Sequence, residues 1–107
     1  MSIRLEKPWC PLTGLDELPG QLGVFQLGNA SGEVLYIGYA GGKSQFGLRS
    51  AIADALTHVK TANGYRLEIT TAYLTRYQEL LMVHQADHGQ LPQANEPVDR
   101  LGRLSPA

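Results

Sequence analysis

The residues of this chain that are suited to chemistry fall in a few places. A glycine-rich loop, Gly38-Tyr39-Ala40-Gly41-Gly42-Lys43-Ser44-Gln45-Phe46-Gly47, leads into a helical pattern. Glycines let backbone N–H groups approach a phosphate closely, and Lys43 adds a positive charge. The spacing of a P-loop, Gly-x-x-x-x-Gly-Lys-Ser/Thr, is absent. A plain strand-to-helix connection accounts for the loop equally well. Arg49 follows, in the first turn of the predicted helix. A cation there opposes the helix dipole, so its two readings are a planar fork for a phosphate and a solvated side chain. Glu79 opens the block Leu80-Leu81-Met82-Val83, and helical spacing sets it on an apolar face with Met82 and Val83. A carboxylate in such a place needs a cation or a metal, and a structural ion pair or a position at the rim is the simpler reading. His84 and His88 are spaced i, i+4, which would suit a chelated metal. Without a third ligand that signal is weak, and surface positions explain them, as they do His58.

The elements that must position these residues can be read from pattern. Pro8, Pro11 and Pro19 argue against a long helix or central strand before residue 22. The piece from Gly14 to Pro19 has room for one helical turn, and Trp9 and Leu12 are expected at the edge of the core. Gly23 to Gly38 reads as two strands joined by Asn29-Ala30-Ser31-Gly32, whose residues tolerate positive φ or bond to nearby backbone. A symmetric loop centred between Ala30 and Ser31 sets Phe25 opposite Tyr36 and Leu27 opposite Val34, all on one face. Val24, Gln26, Leu35 and Ile37 take the other face. Both faces are largely apolar, so the sheet should be covered on both sides, with Tyr36 near the end of an inner strand.

Leu48, Ile52, Leu56 and Val59 then mark one buried face of a helix over 48–60. Gly64 is expected as its C-cap residue. Tyr65 to Thr71 alternates apolar and polar as a half-exposed strand does. The capping-box pattern Thr75-Arg76-Tyr77-Gln78 predicts a second helix that ends at Gly89. The tail from Gln90, with Pro92, Pro97 and Pro106, reads as irregular, and Asn95 is among its polar features. The fold class expected is α+β: a small three-stranded, mostly antiparallel sheet flanked by helices, in the order β-β-α-β-α. The expected division is a lead-in over 1–18, a domain over 19–96 and a tail over 97–107.

Composition bounds the function. A chain of 107 residues makes one domain. The formal charge of -1 gives no global footprint for nucleic acid, so anion binding must come from a local cluster. Cys10 is the only cysteine in the sequence, which excludes an intramolecular disulfide and a multi-cysteine metal site. No apolar run reaches membrane-spanning length, and the N-terminal residues lack a signal peptide's apolar core. A cytoplasmic protein without membrane contact is the expectation; oligomeric state is not legible.

The motifs together resemble the GIY-YIG nuclease domain family. Gly23-Val24-Phe25 and Tyr36-Ile37-Gly38 match its paired strand motifs. Gly47-Leu48-Arg49 matches its helix arginine, Glu79 its later helix glutamate, and Asn95, after Leu91-Pro92-Gln93-Ala94, its downstream asparagine. The resemblance covers residues 19 to 96. It implies hydrolysis of DNA phosphodiester bonds with one divalent ion, Mg²⁺ or Mn²⁺. On that resemblance Tyr36 is the general base, Arg49 holds the scissile phosphate and Glu79 is the protein's metal ligand. Gly38, Lys43 and Asn95 are expected on the substrate side. Tyrosine's pKa near 10 makes it a poor base at neutral pH, so a metal-bound water and nearby positive charge must lower that barrier. The sequence departs from the family at Phe25, which lacks a tyrosine hydroxyl, at Tyr39 where many members carry Lys, and at Ala53 where they carry His or Tyr. The resemblance therefore also admits a module that has lost its chemistry and binds nucleic acid or a protein. A protein partner that supplies DNA targeting fits either form.

Overall fold

The central strand of the molecule, Gly23–Gly28, is buried at every residue, and alternate side chains along it feed two separate cores. The computed structural model describes residues 4–18, 20–42 and 46–95. In chain order its elements are β1 (Cys10–Pro11), a 3₁₀ helix (Leu12–Glu17), β2 (Gly23–Gly28), β3 (Val34–Ala40), α1 (Gly47–Leu56), β4 (Gly64–Ile69) and α2 (Tyr73–His88). The sheet is antiparallel throughout, with strand order β1-β4-β2-β3. The fold is α+β, as expected, with a fourth strand that the proline-rich start concealed. Cys10 and Pro11 pair with Tyr65 and Gly64 at the sheet edge, where a proline removes no ladder bond that matters.

Phe25 and Leu27 pack with Leu48, Ile52 and Ala55 of α1, and with Tyr65 of β4. Val24 and Ile37 pack on the opposite face with Leu80 and Leu81 of α2, joined by Leu5 from the lead-in. The sheet is therefore covered on both sides. The 3₁₀ helix lays Leu12 and Leu15 against the α1-side core, so residues 4–18 contribute to the same folded unit. Residues 97–107, expected as a tail, lie outside the described residues.

The hairpin register differs from the symmetric pairing. Phe25 stands opposite Gly38, and Leu27 opposite Tyr36. The reason is the turn and a bulge next to it. Asn29 organises the turn: its Oδ1 accepts from the backbone N–H of Ser31 and of Glu33, at 3.0 Å each. The ladder then starts at Gly28 and Val34, and Leu35 is left as the extra residue of a β-bulge. The bulge exchanges two side chains between faces. Leu35 joins Tyr36 on the α1 side, and Val34 goes to the α2 side. Phe25 still meets Tyr36, diagonally, with ring centroids 5.9 Å apart. Both rings close over Gly38, where an added Cβ would lie 2.5 Å from Phe25 Cζ. β3 is an edge strand, contrary to the inner position expected for Tyr36.

Other boundaries move for local reasons. α1 ends at Leu56, and a turn carries Val59 to the core, its N–H bonding to Ala55 O at 3.0 Å. Gly64 is the first residue of β4 rather than a helix cap; it admits Cys10 O, which would sit 2.8 Å from a Cβ. α2 begins at Tyr73, because Thr70 Oγ1 holds the Ala72 N–H and Ala72 O accepts from Arg76. Thr75 is thus inside the helix. The expected end holds: Gly89 adopts φ 79° and bonds to Gln85 O. Among the described residues no helix is long and apolar enough to cross a membrane.

Two substitutions test this packing. Leu27→Ala, at a fully buried site, should lower stability by about 2–5 kcal/mol in chemical denaturation. Gly38→Ala forces the Phe25 and Tyr36 rings aside and should cost about 1–3 kcal/mol.

Candidate active site

The residues singled out by sequence come from β3, α1, α2 and the segment that follows α2. Tyr36 projects from β3 to the α1 side, half-buried beside Phe25. Arg49 lies in the first turn of α1, with its guanidinium 5.6 Å from the Phe46 ring centroid. Its Nε is buried without a hydrogen-bond partner, and among the described residues Arg49 makes no ion pair. Tyr36 and Arg49 are thus brought to one side of the sheet. Gly38 lies beneath the Phe25 and Tyr36 rings. Lys43 falls outside the described residues.

Glu79 belongs to α2, which covers the other face. Its Oε1 accepts from Arg76 Nη1 at 2.6 Å, one helical turn back. Arg76 also donates to both oxygens of Glu68 on β4, at 3.1–3.2 Å. The Arg76 side chain is only 12% exposed, against 43% for Glu79. Burial works to lower the Arg76 pKa, but the bonds to Glu68 and Glu79 outweigh it, and the net shift is upward. Among the described residues two carboxylates face one guanidinium, a balance of one net negative charge. Glu79 Oε2 makes no hydrogen bond within the described residues. That donor set fits a Mg²⁺-type ion, which binds through one or two carboxylate oxygens and keeps most of its waters. No cluster of three or more His, Cys, Asp and Glu able to hold a metal occurs among the described residues. The His84 and His88 rings meet at a tilt of 36° with centroids 4.3 Å apart, and His84 Nδ1 donates to Gln90 O at 2.9 Å.

Asn95 has a task that the sequence did not reveal. Its Oδ1 accepts from the Ile37 N–H and its Nδ2 donates to Ile37 O, both at 2.9 Å. The Ala94 N–H bonds to Leu35 O at 3.0 Å. A side-chain amide thus supplies the outer hydrogen bonds of β3 at Ile37, as a neighbouring strand would. Asn95 holds the strand that carries Tyr36. Tyr39 projects to the α2 side, where it stacks on Tyr73 at 5.8 Å and meets Tyr77 edge-on at 4.8 Å. It therefore stands in an aromatic group where the resembled family has a lysine.

The family comparison covers most of these elements. A family model described as a domain of unknown function, DUF7508, matches residues 3–87.

The chain belongs to the DUF7508 family.

That match takes in the hairpin, Arg49 and Glu79, and stops short of Asn95. No curated protein matches the sequence. Within this DUF7508 domain, sequence reasoning missed the partner of Glu79. The available signal was the i, i+3 spacing of Arg76 and Glu79.

Arg76→Met leaves two partly exposed carboxylates unpaired; it should lower stability by about 1–2 kcal/mol, reduced from the buried-pair range by solvent screening. Asn95→Ala exposes both Ile37 backbone groups; it should cost about 1–3 kcal/mol and speed hydrogen exchange at the Ile37 amide ahead of the β2 amides.

Proposed function

We propose that this DUF7508 domain hydrolyses DNA phosphodiester bonds in the manner of the GIY-YIG nucleases it resembles. The observation that carries the reading is Arg49. A guanidinium in the first turn of a helix, with a buried Nε unpaired and no carboxylate among the described residues to neutralise it, is suited to a phosphate oxygen. Its position on the same side as Tyr36 supports the pairing of a phosphate site with a hydroxyl acting on water. Asn95 fixes the backbone at Ile37, the residue that follows Tyr36. Phe25 packs against the Tyr36 ring and limits its rotation.

Glu79 Oε2 would hold the divalent ion, Mg²⁺ or Mn²⁺, which when bound supplies neutralising charge at the leaving oxygen. Tyr36 and Glu79 project from opposite faces, but β3 is the sheet's edge strand. The reading requires one phosphodiester to reach groups from both faces across that strand. DNA is the partner in this reading, and a targeting protein would supply what a near-neutral chain lacks in duplex affinity.

A second reading, a DNA- or protein-binding module without hydrolysis, is favoured by two observations. Arg76 already occupies Glu79 Oε1, and Phe25 offers no hydroxyl beside Tyr36. Cleavage of supercoiled and branched DNA in Mg²⁺ or Mn²⁺ separates the readings. Hydrolysis predicts metal-dependent nicking that Glu79→Ala abolishes while DNA binding persists. Arg49→Met should weaken binding across sequences and lower the salt slope by about one. Salt-sensitive binding without nicking by the wild type on any substrate selects the second reading.

A further inference from the structure

On the α2 side of the sheet, away from Tyr36 and Arg49, lies a cavity of about 380 Å³. Its floor is the cross-strand pair Gln26 and Arg66. Gln26 is the buried polar residue of an otherwise apolar β2, 5% exposed. Its Oε1 accepts from Arg66 Nε at 2.7 Å, which fixes the amide's orientation and turns Nε2 elsewhere. Arg66 Nη1 donates to Lys7 O at 3.1 Å, and the guanidinium lies 4.2 Å from the Trp9 ring centroid. Gln26 Nε2 and Arg66 Nη2 donate to nothing within the described residues.

Arg66 is thus a partly buried cation whose hydrogen-bond acceptors, Gln26 Oε1 and Lys7 O, are neutral. Burial lowers its pKa, and Glu6 acts on it only through space. The other acids of the rim have partners of their own. Asp87 is bound by Arg4 at 2.8 Å, and Glu33 Oε1 accepts from Asn29 Nδ2. A guanidinium with no carboxylate hydrogen-bonded to it among the described residues, beside an amide nitrogen that donates to none of them, leaves two donors open to a ligand at the floor of the recess. Val34, Leu80 and Leu91 give the same recess apolar walls, as small-molecule sites have.

We propose that this cavity binds a small molecule through an oxyanion, carboxylate or phosphate, which accepts hydrogen bonds from Gln26 Nε2 and Arg66 Nη2. The apolar walls receive the rest of that molecule. The site is separate from the proposed hydrolytic one and stands or falls independently of it.

Succinate and inorganic phosphate are the probes, titrated separately into the whole chain at constant ionic strength and followed by ¹⁵N NMR. Saturable shifts of the Gln26 side-chain amide and the Arg66 Nε–H are expected with at least one. A response to succinate alone assigns a carboxylate ligand, and one to phosphate alone a phosphate ester. Gln26→Glu keeps an acceptor for Arg66 and should leave the melting temperature unchanged or higher, yet weaken binding by ~10-fold or more. Glu6→Gln should tighten binding. Absence of saturation with both probes, or equal affinity in Gln26→Glu, overturns the proposal.

Discussion

The backbone ladder of β2 is the constraint on which the rest depends. It is bonded on one side to β3 and on the other to β4, and each step along it commits one side chain to α1 and the next to α2. A strand buried on both faces cannot slip by one residue without moving every apolar group into the wrong core. That rigidity places Tyr36, Gly38 and Tyr39 at fixed heights on β3, and Gln26 against Arg66 on β4. Both candidate sites are consequences of how one strand divides its side chains.

The bulge at Leu35 qualifies that division. It lets the leucine beside the turn join the larger, α1-side core without disturbing the ladder from Leu27 onward. It also directs Val34 to the cavity wall on the other side. One extra residue thus adjusts two surfaces, which is how bulges serve sheets near functional regions.

How far the sequence discloses this depends on whether the signal is local. The two strands, the helix faces of Leu48 and Ile52, and the stop at Gly89 rest on periodicity and φ preference within a few residues, and they are legible. The register is not, because it follows from Asn29 bonding across its own turn. β1 is hidden because its pairing with Tyr65 joins residues distant in sequence, and prolines mask a two-residue strand. Glu79 shows the same limit: the buried apolar face expected around it is not there, since Met82 is 61% exposed and only Leu80 and Leu81 of the block from Leu80 to Val83 are buried, and the identity of its cation required the fold to bring Glu68 to Arg76 as well. Asn95 stood out as a polar residue, but its bonds to Ile37 cross 58 positions of chain. Gln26 was placed on its face correctly, and only the approach of Arg66 gives it a partner.

The bonds from Asn95 and Ala94 to β3 have a further consequence for the protein among its own copies. Leu35-Tyr36-Ile37 is an apolar, uncharged segment on a sheet edge, the type of template that recruits a second chain into a continuous sheet. By occupying the outward N–H and C=O of Ile37 with a side-chain amide, the chain closes that edge with a few residues instead of another strand. The same asparagine that steadies a candidate catalytic tyrosine therefore acts as a guard against self-association, and resistance to aggregation is coupled to the order of the site.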